Sequence, residues 1–235
     1  MIKQDITKTA TTSDAQLGER IRQYNPDMGV YGVFEHVKAP VAISKFDLCM
    51  RAPVEDGDCD GATAASKTIV DATKSWTVDA WAGYLVTVID GAAPYGETLR
   101  VESNTATVLT LAPVRIGATE TFSANLGTSH RYSIHHPHFV AKTSGAAVHP
   151  AGVAQVAVAA GEYFWMQVCG RSLVNFDGTT DPSVLGEIAV PSSTAGKAKG
   201  GTAAAQTAVE AGLGAGIRPV GVVAVNGQCL VDLAL

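Results

Sequence analysis

The sequence predicts a mainly β chain, a β barrel or sandwich core with an inserted small β module and an extended N-terminal arm. Three observations carry that expectation. Residues 68–111, TIVDATKSWTVDAWAGYLVTVIDGAAPYGETLRVESNTATVLTL, read as four or five short strands parted by turns. The chain closes on IRPVGVVAVNGQCLVDLAL, two apolar runs around Asn226-Gly227, and Asn-Gly between such runs is a strong hairpin signal. Finally, 24 Gly and 10 Pro punctuate 235 residues with no long polar block, the mark of many turns and short strands.

Taken in order, residues 1–18 are polar, Thr-rich and without periodicity, an arm expected to order only against a neighbour. YNPDMG (24–29) is a turn, and GVYGVFEHV after it is a strand with Val30, Val33 and Phe34 competing for the core. VKAPVAISKFDLCMRA gives a strand, a Pro-marked bend and a second strand. EDGDCDGATAAS (55–66), small and acidic, is read as a loop and a module boundary. TIVDAT, YLVTVID, ETLRVES and TVLTLAP then supply the module's strands, with GAAPYG (91–96) and NTA as turns. Trp76 and Trp81 are expected to plug one end, since five-residue strands alone bury too little.

HRYSIHHPHFVAK resumes the strand text, and QVAVAAGEYFWMQVCGRSLV (155–174) is the most apolar strand pair, bent at Ala-Gly. AGKAKGGTAAAQTAVEAGLGAG (195–216) is the one place where helix is arguable; its glycines favour a loop with a turn or two. The expected division is an arm at 1–18, a core from 19–61 and 127–235, and an inserted module at 62–126, with a linear two-domain layout as the other possibility.

Bulk properties narrow the function. The 17 basic residues are scattered and the formal net charge is -5, which argues against a nucleic-acid partner. No run approaches the roughly 18 apolar residues of a membrane span. The opening MIKQDITKTATTSDAQLGER has no apolar core of signal-peptide length, so synthesis in a reducing cytosol is expected. Only 17% of residues are charged, which suits a surface largely covered by partners.

Candidate chemistry is sparse. Asp56-Gly57-Asp58-Cys59-Asp60-Gly61 opens like a calcium-binding loop, but the twelfth position, where a bidentate Glu is required, is Lys67; a solvated acidic turn is the expectation. His130, His135, His136 and His138 cluster, with His149 nearby. Residues two apart on a strand share a face, but Pro137 disturbs His136 and His138 and no further zinc ligand has matching spacing, so a polar edge or subunit contact is expected. Cys49, Cys59, Cys169 and Cys229 lie far apart and read as free thiols behaving as small hydrophobes. Gly212, Gly214 and Gly216 do not complete a phosphate loop, and Asp177 and Asp181 serve glycoside hydrolysis only if they face a cleft about 5–10 Å apart. No catalytic, cofactor or metal residue is assigned, and the chain is expected not to be an enzyme.

One stretch has a familiar look. SWTVDAWAGYLVTVIDGAAPYGETLRVESNTATVLTL resembles a module of tailed-bacteriophage structural proteins, carried by Trp76, Gly83, Tyr84, Gly91, Gly96, Asn104, Thr105, Leu109 and Thr110. The ending from Gly216 resembles the last hairpin of small capsid-decorating phage proteins; residues 127–215 carry no such likeness. The resemblance implies a virion component made in the host cytoplasm: a decoration (cement) protein on the outside of the major capsid protein lattice, as a homo-trimer. A tail, baseplate or fibre-attachment protein is the alternative. A carbohydrate-binding module, with Trp76, Trp81 or Tyr95 as stacking platform, is the reading from another class; rim exposure of those rings favours it and burial counts against it.

Overall fold

The computed structural model describes residues 5–26, 28–60, 67–90, 94, 96–113, 122–144, 150–177, 189–200, 217–225 and 228–234, of which 189–190 and 217–234 are described by backbone alone. Among the described residues every regular element is a strand. In chain order these are β1 (Arg20–Asn25), β2 (Val30–Lys38), β3 (Leu48–Asp58), β4 (Thr68–Val70), β5 (Leu85–Asp90), β6 (Thr98–Asn104) and β7 (Val108–Ala112). There follow β8 (Arg131–Lys142), β9 (Pro150–Ala154), β10 (Tyr163–Asn175), β11 (Ala189–Pro191), β12 (Ala198–Gly200), β13 (Ile217–Val225) and β14 (Gln228–Ala234). The mainly β expectation holds.

The chain forms two compact units, Met1–Arg51 with His138–Leu235, and Ala52–Pro137. Both divisions fall within strands, β3 and β8, where turn composition had suggested 62–126. Residues 55–58 are the reason: they belong to β3 and not to a loop. Glu55, Gly57 and Cys59 alternate inward there, while Asp56 and Asp58 are exposed. Residues 61–66, the rest of the expected loop, lie outside the described residues.

In the first unit the strand pairings run β2–β10–β9–β3–β8 and return to β2 through the parallel pair Lys38↔Phe139, a small closed barrel. Its interior holds Val37, Cys49, Val140, Ala154, Phe164 and Met166. β1 extends β2 antiparallel, Arg20↔Glu35 through Asn25↔Val30. β14 pairs with the second half of β10, and β13 with β14. Val225↔Gln228 closes the terminal hairpin read from the sequence, its Asn226-Gly227 turn lying outside the described residues.

Because side chains alternate along a strand, Phe34 and His36 face away from the barrel, as do Tyr163 and Trp165. That outer face is covered by residues 5–18 of the same chain. Ile6 is buried with Phe34 and Trp165, and Ala10 exchanges backbone hydrogen bonds with Tyr163 at 3.0 and 2.8 Å. The arm expected to await a neighbour is therefore seated on its own barrel. One apolar side chain in a polar segment suffices, because β2 and β10 present an aromatic surface that water would otherwise wet.

A second correction concerns 155–174. It contains one strand, β10, with β9 lying earlier and Val158 bridging Ile43. Gln155 explains the break, for its side chain turns in to Asn25 and Ser172. In the Gly/Ala-rich stretch, residues 198–200 are β12, and 201–216 lie outside the described residues.

The second unit is an antiparallel ladder, β8–β5–β6–β7–β4. The Asp60 N–H donates to the Val70 carbonyl at 2.8 Å, drawing the segment after β3 to β4. Its core contains Ile69, Val86, Val101, Leu109, Leu111 and Ile134. Trp76 is 9% exposed and meets Tyr132 edge-on, and Trp81 packs partly buried on the same cluster.

Candidate functional site

A group of ionisable side chains sits at one end of the barrel. Glu35 is two residues before Val37 on β2, His138 two before Val140 on β8, and Arg51 two after Cys49 on β3. β2 and β8 run parallel and β3 is reversed in direction, so the period of two brings all three to the same end of the interior. Arg20 joins from β1, where it is the register partner of Glu35.

The Glu35 side chain is 2% exposed. Its Oε2 accepts from Arg20 Nε at 3.1 Å and Nη2 at 2.9 Å, and its Oε1 lies 2.8 Å from Arg51 Nη1 and 3.4 Å from His138 Nδ1. Burial pushes this carboxyl's pKa up; the His138 hydrogen bond, the Arg51 charge and the hydrogen bonds from both arginines more than offset it and bring it to about 2. A general base works best with a pKa near the working pH, so a carboxylate locked in its ionised form is suited to stapling four segments together. Sequence reading passed over Glu35. The available signal was a carboxylate in the otherwise apolar strand VYGVFEHVK, which demands a cation.

Two further polar knots are structural in the same sense. Asn25 Nδ2 donates to Gln155 Oε1 at 3.2 Å and to Gln167 Oε1 at 2.8 Å, while Gln155 Nε2 donates to Ser172 Oγ at 2.8 Å. Gln167 Nε2 donates to the carbonyls of Cys169 and Arg171 at 3.2 and 2.9 Å, beside the β10 bulge between Gln167 and Cys169. In the second unit the Tyr132 hydroxyl donates to Asp71 Oδ2 at 2.6 Å, both residues fully buried. Burial, then the Asp71 carboxylate, raises the Tyr132 pKa, keeping the phenol protonated. Gly57 makes room for the pair: a Cβ there would lie 2.3 Å from the Tyr132 hydroxyl and 2.5 Å from Asp71 Oδ2.

The histidines singled out from the sequence find separate partners. His130 Nδ1 accepts from the Gly127 N–H at 2.9 Å, His136 meets the Tyr84 ring edge-on at 5.1 Å, and His138 belongs to the Glu35 cluster. His135 is paired in register with Leu85, and His149 lies outside the described residues. In the acidic segment, Asp58 is 3.3 Å from Arg131 Nε and Asp60 accepts from the Ala72 N–H. Among the described residues no three His, Cys, Asp or Glu are grouped to hold a metal ion.

Cys49 and Cys59 are buried free thiols. Burial first, then neighbouring carboxylates, pushes the Cys59 pKa up to about 12 and Cys49 in the same direction. Neither supplies a thiolate at neutral pH. Cys169 is half-buried, and Cys229 is placed by its backbone on β14. Asp177 accepts from Ser192, whereas Asp181 and the glycines at 212, 214 and 216 lie outside the described residues.

The described residues of the stretch 75–111 brace and fill the second unit. Asn104 is 2% exposed, its Oδ1 accepting from the Trp81 N–H at 2.9 Å and its Nδ2 donating to the carbonyls of Thr77 and Thr105 at 2.8 Å each. Thr105 Oγ1 accepts from the Val108 N–H at 3.2 Å, and Leu109 is fully buried. Trp76 donates Nε1 to Glu55 at 3.0 Å from within the core, so its ring is not offered to a sugar; Tyr95 lies outside the described residues. No family model, curated protein or solved structure matches this chain.

Proposed function

We propose that the chain is a non-enzymatic virion structural protein of a tailed bacteriophage, a decoration protein that binds the outside of the major capsid lattice as a homo-trimer and stabilises the head. One observation carries the reading most of the way: the residues behind the phage-module resemblance, Trp76, Asn104, Thr105 and Leu109, form the core and the turn brace of a distinct β unit. Their chemistry is burial and bracing, which suits a displayed or docked module. The barrel's polar groups support the same direction, since Glu35, Asn25, Gln155 and Gln167 are engaged with their own chain. Many weakly held copies on one lattice give avidity beyond any single contact. Because residues 5–18 lie on their own barrel in this state, lattice contact falls to the exposed faces of the two units.

The decisive measurement is copy number. Purified particles are resolved by denaturing electrophoresis and this chain's band is compared with the major capsid band. A decoration protein is present in numbers comparable to the capsid subunit. A handful of copies per particle overturns the reading in favour of a tail or baseplate position, and absence from particles overturns it altogether.

A further inference from the structure

His36 is an unusual histidine. It lies on the outer face of β2, is 1% exposed, and is enclosed by the rings of Tyr163 and Trp165, whose centroids lie 5.9 and 4.9 Å away. Its Nδ1 makes no hydrogen bond, and its Nε2 lies 3.5 Å from Asp14 Oδ1, a carboxylate whose side chain is 64% exposed. What closes this site from above is the N-terminal segment. The Gly18 N–H donates to the His36 carbonyl at 2.8 Å, and the His36 N–H donates to the Glu19 carbonyl at 2.9 Å.

The hold of that segment is slender. Between residues 5 and 18 the one buried side chain is Ile6, and the backbone ties to strands are those of Ala10 with Tyr163 and of Gly18 with His36. Thr11 to Asp14 are exposed. Gly18, with φ at +81°, makes the bend by which the segment turns into β1, a conformation that L side chains rarely adopt.

We propose that residues 5–18 are a pH-released strap, seated on β2 and β10 while His36 is neutral and lifted when His36 is protonated.

The groups facing the imidazole give the sign. From the strap side come the Asp14 carboxylate, then the Gln16 carbonyl, the Glu19 charge and the Ala15 carbonyl, all favouring the protonated form. From β10 come two aromatic rings, whose faces also attract a cation. Lys38, on the same face of β2, places its ammonium 5.1 Å from the Tyr163 centroid and opposes a second positive charge. Desolvation outweighs the favourable group, and the pKa is lowered from 6.5. The seated form therefore binds fewer protons than a form with His36 in water, and acidification favours the open one. Asp14 does not rescue the seated form, because its own hydration screens the pair. Lifting the strap exposes Phe34, Trp165 and the imidazole, an aromatic face with a cation at its centre. Release belongs to the free chain and stands apart from the virion reading.

Hydrogen exchange tests it, read by mass spectrometry and corrected for the intrinsic rate at each pH. From about pH 7.5 to about pH 5, protection of the Ala10 amide and its neighbours is expected to fall, by at most about thirtyfold for an imidazole that titrates normally once open, with the β10 amides of Met166–Val168 unchanged. His36→Phe keeps the aromatic fill without a titrating group and is expected to hold the strap at both pH values; His36→Gln serves if the Phe variant does not fold. Equal strap protection at the two pH values overturns the proposal, and so does a fall of the same size in the non-titrating variant.

Discussion

Glu35 shows how much one residue can organise. Two guanidinium groups, of Arg20 and Arg51, and the His138 imidazole converge on it, separated from it by up to 103 positions in sequence. No spacing rule reaches across such distances, which is why the strand VYGVFEHVK was legible as a strand while the cluster was not. The same holds for Asn25, Gln155 and Gln167, ordinary polar letters that become a network only once β1 and β10 are brought together. The pH consequence of Glu35 has a definite sign. Its carboxyl is lowered from 4.5 to about 2, so its stabilisation is complete above pH 4.5 and drains away as pH falls towards 2. At about 1.4 kcal/mol for each pH unit, that is about 3 kcal/mol. Glu35→Gln is expected to cost about 3 kcal/mol at neutral pH, since it leaves two guanidinium groups without their anion. It is also expected to flatten the acid limb, and denaturant titrations across the pH range read both effects. A variant as stable as the parent at pH 7 would show that the cluster contributes nothing net.

At the scale of elements, alternation and turn chemistry located most strands, because burial on one face writes a period of two into the sequence. β2, β4, β5, β6, β7, β8 and the terminal hairpin all stand where strand-like runs and turn signals placed them. Other features were hidden, two of them instructive. Residues 5–18 read as a free arm because composition averages over Ile6, the single side chain that anchors them. The 55–58 segment read as a loop because its acidic letters are those of turns, although Asp56 and Asp58 merely occupy the wet face of β3. Asn104 is the element-scale residue whose removal says most. Its side chain makes three hydrogen bonds, two to Thr77 and Trp81 and one to the Thr105 carbonyl, and so ties 77–81 to the β6–β7 connection. At about 1 kcal/mol net for each bond, Asn104→Ala is expected to cost about 3 kcal/mol and to lower the melting temperature. It should also loosen hydrogen exchange at Trp81 before it loosens the β4–β7 pairing. An unchanged melting temperature would remove the residue from the brace.

At the scale of the molecule, each unit has its own apolar core, yet β3 and β8 pass through both as continuous strands. Arg51 and His138 are the last residues of these strands on the barrel side, and both are held by Glu35. Loss of the second unit would leave Ala52 and Pro137 without a folded continuation, and fraying would reach Arg51 and His138 at the next residue. The barrel would then keep Glu35 buried with fewer of its partners, an arrangement that costs more than the pair contributes. One cooperative transition is therefore expected even though there are two cores. Leu109→Ala, a fully buried truncation in the second unit, provides the check. It is expected to cost about 2–5 kcal/mol. It should also lower the single transition of the whole chain, with calorimetric and van't Hoff enthalpies remaining equal. Exchange at the β2 and β10 amides should accelerate in step with the β5 and β6 amides. A low-temperature transition that melts β4–β7 and leaves barrel exchange untouched would show that the two strands transmit nothing, and that the units fold as independent domains.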